Sequence, residues 1–347
     1  MKSLPTRRAM LAGAAALVAA PAFLPRPARA QGRFARAAAY NAEHRGISML
    51  VMRGGQVVIE DYPNGGAADR PHETASGTKS FCGIIAAAAV QDRLLSLDEP
   101  AAQTLPEWRD DPLKRRITIR HILSLTSGLE TRRARGNLLG YEESVGMAAL
   151  AEPGSRFAYG GDPFQLFGAI LTRKLKGRED PVAYLKRRVL DPAGIEFGAW
   201  RRGRDGMPTL GSGARLTARN WARFGDLVRL GGRAGNRQLV DPAALAASFT
   251  GSPANPAYGL GWWLNRPMPD AQRQSIPQLR AATDVRPDEP ASPADLVFAA
   301  GAGKQRLYIS RAEQLVVVRQ ATGILQAFAD NDRGGFSDAQ FWRLLRG

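Results

Sequence analysis

Strand-like runs at the two ends of the chain, separated by helical patterning, constrain its architecture more than any other feature of the sequence. Toward the N-terminus, Gly46 to Met52 is an alternating apolar run, Arg53-Gly54-Gly55 is turn material, and Gln56 to Tyr62 is rich in β-branched residues. This succession predicts a β-hairpin. Toward the C-terminus, Leu296 to Ala300, Arg306 to Ser310 and Leu315 to Gln320 read as three further strands. Between the two ends the period changes. Gly77 to Leu95 carries Ile84, Ile85, Ala88, Ala89 and Leu94 near a 3.6-residue repeat, and Thr118 caps a second helix over Ile119 to Leu125. Pro163 to Lys176 and Ala218 to Leu230 are helical in pattern, and Asp338 to Leu345 predicts a closing helix. Strands at both ends around a helical middle imply an α+β or mixed α/β fold whose terminal strands join one sheet. No internal repeat appears. Met268 to Pro293, rich in proline and charge, fits neither period and reads as a long surface loop or lid.

Composition narrows the class. At 347 residues, with 44% hydrophobic and 23% charged residues, the chain has enough apolar material for a real core. These proportions argue against wholesale disorder, a collagen repeat or a multi-span membrane protein. One cysteine, Cys82, rules out an internal disulfide framework and a multi-cysteine zinc or iron–sulfur site. His44, His72 and His121 leave little for a histidine-built metal centre. The expected chemistry uses neither metal nor organic cofactor.

Residues 1–30 read as an export signal rather than as part of the fold. Arg7 and Arg8 precede the apolar stretch Ala12 to Phe23, which Pro21 interrupts, and Ala28-Arg29-Ala30 places small residues around a cleavage point. The arginine pair suggests the twin-arginine route. The apolar stretch falls short of the roughly 20 residues a membrane span needs. The expected mature protein is therefore periplasmic or secreted, a single domain over 31–347. Its terminal strands form the α/β part, and about residues 95–210 form the mainly helical part. Removing the signal takes away Lys2, Arg7, Arg8, Arg26 and Arg29 and no acid, so the formal charge falls by five, from +16 to +11. The remaining basic runs include Lys114-Arg115-Arg116, Lys186-Arg187-Arg188 and Arg201-Arg202. None is interleaved with aromatics as a single-strand groove requires, so they read as solvated surface and no nucleic-acid partner is expected. Nor is stable membrane insertion expected once the signal is cleaved.

Thr74-Ala75-Ser76-Gly77-Thr78-Lys79-Ser80-Phe81 lies where a loop turns into the first long helix. Ser76 and Lys79 are three residues apart. On a helix they share a face, so the amine reaches the hydroxyl, and the helix N-terminus adds positive potential beneath it. A serine alone is a weak nucleophile; a lysine that is desolvated or held near other cations sheds its proton and serves as base. The same spacing also suits an ordinary N-cap serine with a solvent-facing lysine. His121, on a periodic helix, reads as structural; His72 lies in a loop, and Cys82, one turn past Lys79, reads as buried. With no G-x-S-x-G elbow, a Ser-His-Asp hydrolase finds no support.

The segments around Ser76 resemble those of the class C β-lactamases, penicillin-binding-protein-like peptidases and related serine esterases and amidases, whose nucleophile motif is S-x-x-K. The likeness runs through Ser76 to Lys79, Ile117 to Leu129, Pro153 to Gly161, Tyr258 to Trp263 and Phe298 to Gln305, in family order over about residues 45–320. It implies a β-lactamase/transpeptidase-like fold, an antiparallel sheet flanked by helices beside an all-helical region, with the active site in the cleft between them. It implies Ser76 as the acyl-accepting nucleophile, Lys79 as the group that helps deprotonate it, and Tyr159 as a second proton carrier. The backbone N–H groups of Ser76 and Ala302 are the implied oxyanion hole. Gly161, Ala300, Gly301 and Trp262 are the implied substrate-contacting positions. Gly301 would let its strand approach the substrate closely, and Trp262 with Trp263 would form either a substrate wall or core. Asp162 is expected to hydrogen-bond near Tyr159.

Two departures refine the reading. Gly161 stands where β-lactamases place the asparagine of Y-x-N, and Ala299-Ala300-Gly301 stands where they carry K-T-G. That strand therefore offers no cation to a β-lactam carboxylate. The pattern is closest to the 6-aminohexanoate-dimer hydrolase and esterase branch. The implied function is an exported serine hydrolase that cleaves a small-molecule ester or amide through an acyl-enzyme. A D-alanyl carboxypeptidase or weak β-lactamase is one alternative, and a catalytically inactive relative that binds cell-wall fragments is another.

Overall fold

The computed structural model describes residues 28–131, 138–275, 284–285, 291–329 and 335–346. In chain order the strands are β1 (Gly46–Arg53), β2 (Gln56–Asp61), β3 (His72–Glu73), β4 (Ala199–Trp200), β5 (Ala214–Leu216), β6 (Arg233–Ala234), β7 (Arg237–Gln238), β8 (Trp263–Leu264), β9 (Val297–Gly301), β10 (Gln305–Ser310) and β11 (Leu315–Ala321). The helices are α1 (Ala28–Glu43), α2 (Ser80–Gln91), α3 (Ile119–Leu123), α4 (Tyr141–Val145), α5 (Asp162–Lys174), α6 (Pro181–Leu185), α7 (Ala218–Arg229), α8 (Pro242–Ala247), α9 (Asp270–Ser275), α10 (Ile324–Ala329) and α11 (Asp338–Arg346). Of the expected export segment 1–30, the last three residues open α1 and residues 1–27 lie outside the described residues. So does much of the expected surface loop; its described part includes α9, where an aspartate in the first turn suits a helix start. Among the described residues no helix is long and apolar enough to cross a membrane.

Both chain ends enter one antiparallel sheet, in the order β2-β1-β11-β10-β9-β8. Leu50 faces Val318 and Val51 faces Val317 across the β1–β11 pair. Every residue of β10 and β11 is buried, and Val316-Val317-Val318 supplies the β-branched bulk that a pleat covered on both faces accommodates. Gly54 and Gly55, at φ 57° and 81°, make the β1–β2 turn, the two positive angles a tight hairpin turn demands. Successive residues of β10 point to opposite faces. Tyr308 meets Phe341 and Trp342 of α11 on one side. On the other, α7 lies so close that a Cβ at Gly225 would stand 2.8 Å from Leu307 Cδ1 and 2.6 Å from Val316 Cγ1.

Arg306 and Asp338 bridge β10 and α11. Both are buried, with Nε 2.7 Å from Oδ1 and Nη2 3.2 Å from Oδ2. The Tyr308 hydroxyl donates to the same carboxylate.

Helices α2 to α6 build the helical region around buried side chains that include Phe164, Phe167 and Leu171 of α5. Thr118 caps α3 as its sequence predicts, accepting from His121 N–H at 3.2 Å, while the His121 ring accepts from Thr118 N–H at 3.3 Å. This gives the histidine a structural task. The helix stops at Leu123, two residues short of the predicted end, and Leu125 has turned to φ 60°, outside helical space.

Candidate active site

Ser76 and Lys79 do not lie on the first turn of an α-helix as expected. They lie on a 3-10 turn, Ala75–Lys79, that leads into α2. A 3-10 turn eclipses residues i and i+3, so the serine–lysine spacing serves it even better. Lys79 Nζ stands 3.0 Å from Ser76 Oγ.

Neighbouring hydroxyls hold this turn. Ala75, just before the serine, is at φ 47°, a left-handed conformation costing a non-glycine residue about 1–3 kcal/mol. Gly77 N–H donates to Thr74 O at 2.9 Å. Thr78 Oγ1 donates to Ala75 O at 2.7 Å and accepts from Ala214 N–H of β5 at 3.1 Å. Thr74 N–H closes the pair by donating to Ala214 O at 2.9 Å. Both threonines are buried. Nothing local in the sequence marks this task, because their partner lies some 140 residues away. Behind the turn, a Cβ at Gly77 would stand 3.0 Å from the Trp221 ring of α7.

The lysine amine is 4% exposed overall as a residue and donates to Gly211 O at 2.7 Å as well as to the serine. It also stands over two aromatic faces, 5.0 Å from the Tyr159 ring centroid and 5.8 Å from that of Phe164, within cation–π range. Among the described residues no carboxylate pairs with it. Tyr159 is thus brought to the serine–lysine pair, with its ring face toward the amine. Its ring stacks on Trp263 at 5.7 Å and meets Tyr258 edge-on at 6.1 Å. Among the described residues its hydroxyl makes no hydrogen bond. Burial, then the neighbouring Tyr159 and Cys82, push the Tyr258 phenol well above its ordinary range, so it packs against Tyr159 as a neutral ring.

Of the four implied substrate-contacting positions, one lines the cavity. Gly161 does, at the N-cap of α5, but a Cβ there would stand 2.3 Å from Leu138 Cδ2. An apolar side chain fills the space into which an asparagine would project. Trp262 does not. It is fully buried between Phe224 at 6.1 Å and Phe249 at 5.6 Å. Alternation at the start of β8 sends it inward and sends Trp263 to Tyr159. Ala300 is buried and pairs with Arg306. Gly301 makes its close approach to the nucleophile turn: a Cβ there would stand 2.1 Å from Thr74 O. This contact sets Ala302, the residue after β9, beside the turn, while Ser76 N–H lies in the first turn of a helix, where backbone donors lack intrahelical acceptors. Asp162 accepts from Leu139 N–H at 3.1 Å and so braces the helical region. His72 Nε2 lies 2.9 Å from Ala321 O, off the cavity, and Cys82 is buried.

A cavity of about 380 Å3 opens over Ser76, Lys79 and Tyr159. Its wall includes residues not expected at the site: Arg201, Arg202 and Arg204 from the loop after β4, Gly211 and Ser212, and Ile324 of α10. The Arg201-Arg202 pair, taken as solvated surface, belongs to the cavity mouth because the loop folds back over the helical region. Among the described residues no group of three or more His, Cys, Asp or Glu side chains could hold a metal ion.

An antiparallel sheet beside a helical region, with a serine and a buried lysine on the turn between, defines a serine hydrolase. Residues 33–332 match the Beta-lactamase family model, and the chain belongs to that family. Among solved structures it is similar to EstCE1, a hydrolase with promiscuous acyltransferase activity, at 19% identity over 92% of this chain and 100% of that one (TM-score 0.66). It is similar to a penicillin-binding protein homolog from Caulobacter crescentus at 18% identity, covering 83% and 91% (TM-score 0.62). A protein assigned as a 6-aminohexanoate-dimer hydrolase from Bacillus anthracis matches at 17% identity, covering 84% and 78% (TM-score 0.63). At these identities the likeness shows the fold. No curated protein matches the sequence.

Proposed function

We propose that the chain cleaves a small-molecule ester or amide through an acyl-enzyme on Ser76. The observation that carries this reading is the 3.0 Å between Lys79 Nζ and Ser76 Oγ, a proton-transfer distance, in a cavity and with no carboxylate partner for the amine among the described residues. Ser76 Oγ attacks the carbonyl carbon and its proton passes to Lys79. The oxyanion that forms turns to the N–H groups of Ser76 and Ala302, a contribution whose loss costs about 10² to 10³ in rate in comparable enzymes. Tyr159 carries a proton to the departing group, the carbonyl re-forms, and water then releases the acid and restores the serine. Leu138 in the asparagine space and the neutral Ala299-Ala300-Gly301 strand support an esterase or amidase over a β-lactamase. The signal-like residues 1–30 support export to the periplasm or beyond.

A fluorophosphonate probe tests the nucleophile. It is expected to label the wild type and not Ser76→Ala; an unlabelled, folded wild type would favour a binding protein. Short 4-nitrophenyl esters are expected to turn over much faster than nitrocefin, and comparable rates would reverse the substrate ranking. Gly301→Ala offers a second check. Its methyl group has to displace the Thr74 carbonyl beneath the nucleophile, so ester turnover is expected to fall by about 10²-fold, the scale of an ångström's misplacement. Wild-type turnover by this variant would separate β9 from the catalytic geometry.

A further inference from the structure

Three arginines from one loop, Arg201, Arg202 and Arg204, line the cavity that holds Ser76. Beside the Lys79 amine they place three guanidinium groups on its wall against one carboxylate, Glu73. The three are not equivalent. Arg202 is committed to the loop itself, with Nη2 3.0 Å from Asp180 Oδ2 and Nη1 2.8 Å from Gly206 O. Arg201 donates to Ser212 Oγ and keeps Glu73 at 3.9 Å, beyond hydrogen-bond reach. Arg204 is exposed at the cavity, and among the described residues nothing pairs with its guanidinium. The nearest acid in sequence does not neutralise it. Asp205 turns its carboxylate to Tyr141 N–H at 2.7 Å and Met207 N–H at 3.1 Å, which braces the loop against α4. The loop is therefore held in place while one guanidinium is left over.

A guanidinium fork suits a carboxylate, and a cavity lined by one sign of charge concentrates ligands of the other. On β9 no cation replaces the missing K-T-G lysine; the cations of this cavity come from the opposite part of the chain. We propose that the substrate hydrolysed at Ser76 carries a carboxylate a few atoms from the scissile carbonyl, received by Arg204 with Arg201 beside it. The proposal rests on the acyl-enzyme reading and adds a substrate class to it.

Two matched substrate series provide the test. Mono-4-nitrophenyl glutarate against 4-nitrophenyl pentanoate places the carboxylate on the acyl half; 3-carboxyphenyl against phenyl butyrate places it on the leaving half. In one series the anionic member is expected to be preferred by about 10- to 100-fold in kcat/KM, the scale of one charge-assisted hydrogen bond. That preference is expected to fall toward unity in Arg204→Ala and to shrink as ionic strength rises. Equal kcat/KM within both series, or a preference that survives both Arg204→Ala and Arg201→Ala, overturns the proposal. A binding measurement keeps it separate from the reading of Ser76. Calorimetry of monomethyl glutarate with Ser76→Ala is expected to show binding that Arg204→Ala weakens by a similar factor; no binding in that background counts against the anion site even where the esters are turned over. Turnover that persists in Ser76→Ala, with Arg204-dependent glutarate binding intact, removes the nucleophile and leaves the anion site standing.

Discussion

Lys79→Met is expected to lower kcat/KM for 4-nitrophenyl esters by about 10² to 10⁴-fold, the range of a positioned proton-transfer group. Methionine is likewise unbranched and reaches as far as the lysine Cε, so most of the buried slot between Ser76 and the rings of Tyr159 and Phe164 stays filled. What disappears is the nitrogen, and with it the bond to Gly211 O. The stability lost is what one unsatisfied carbonyl costs, about 1–3 kcal/mol. A melting curve taken beside the kinetics separates that cost from the rate. Tyr159→Phe keeps the ring under the amine and removes only the hydroxyl, and a loss of about 10² is expected there. Single-turnover acylation is the sharper readout, because both residues act before the acyl-enzyme forms. Acylation within threefold of wild type in either variant would remove that residue from the mechanism.

Asp338→Asn is the largest expected stability change. Removing the negative partner leaves the Arg306 guanidinium, 1% exposed in its side chain, as an uncompensated buried charge, a situation that costs about 3–5 kcal/mol. The pH dependence carries a sign. Burial alone would raise the Asp338 carboxyl, but Arg306, Lys304 and the Tyr308 hydroxyl hold it below the usual carboxylate range. A carboxyl depressed in the folded state adds stability that is fully present above its unfolded pKa of about 4. That stability is lost as pH falls through the lower folded value. Urea denaturation at pH 7 and near pH 3 is therefore expected to show a steeper acid loss in the wild type than in Asp338→Asn. Parallel losses would mean that this carboxylate does not set the acid limit.

Much of this molecule is legible in its sequence where the cause is local. Val316-Val317-Val318 announces a buried strand, Gly54-Gly55 a tight hairpin turn, and Thr118 a helix start, each through side-chain chemistry acting within a few residues. The serine–lysine spacing is legible too, though not the type of turn that carries it, since a repeat of three fits both helical forms. What stayed hidden depends on distant partners. Nothing near Gly301 reveals that its missing Cβ faces Thr74 O. Trp262 and Trp263 are adjacent and chemically alike, and only the start of β8 decides which turns to Tyr159. Arg204 looks like any exposed arginine until its loop is seen at the mouth of the cavity.

The pairing of β1 with β11 joins residues as far apart as Ser48 and Gln320. Non-local contacts of this kind are slow to form, because a long loop has to close before they stabilise anything. A ribosome has to deliver β11 before the first hairpin finds its neighbour in the sheet. Catalytic competence then waits on that pairing, and a chain that stops before β11 leaves the hairpin with an open edge.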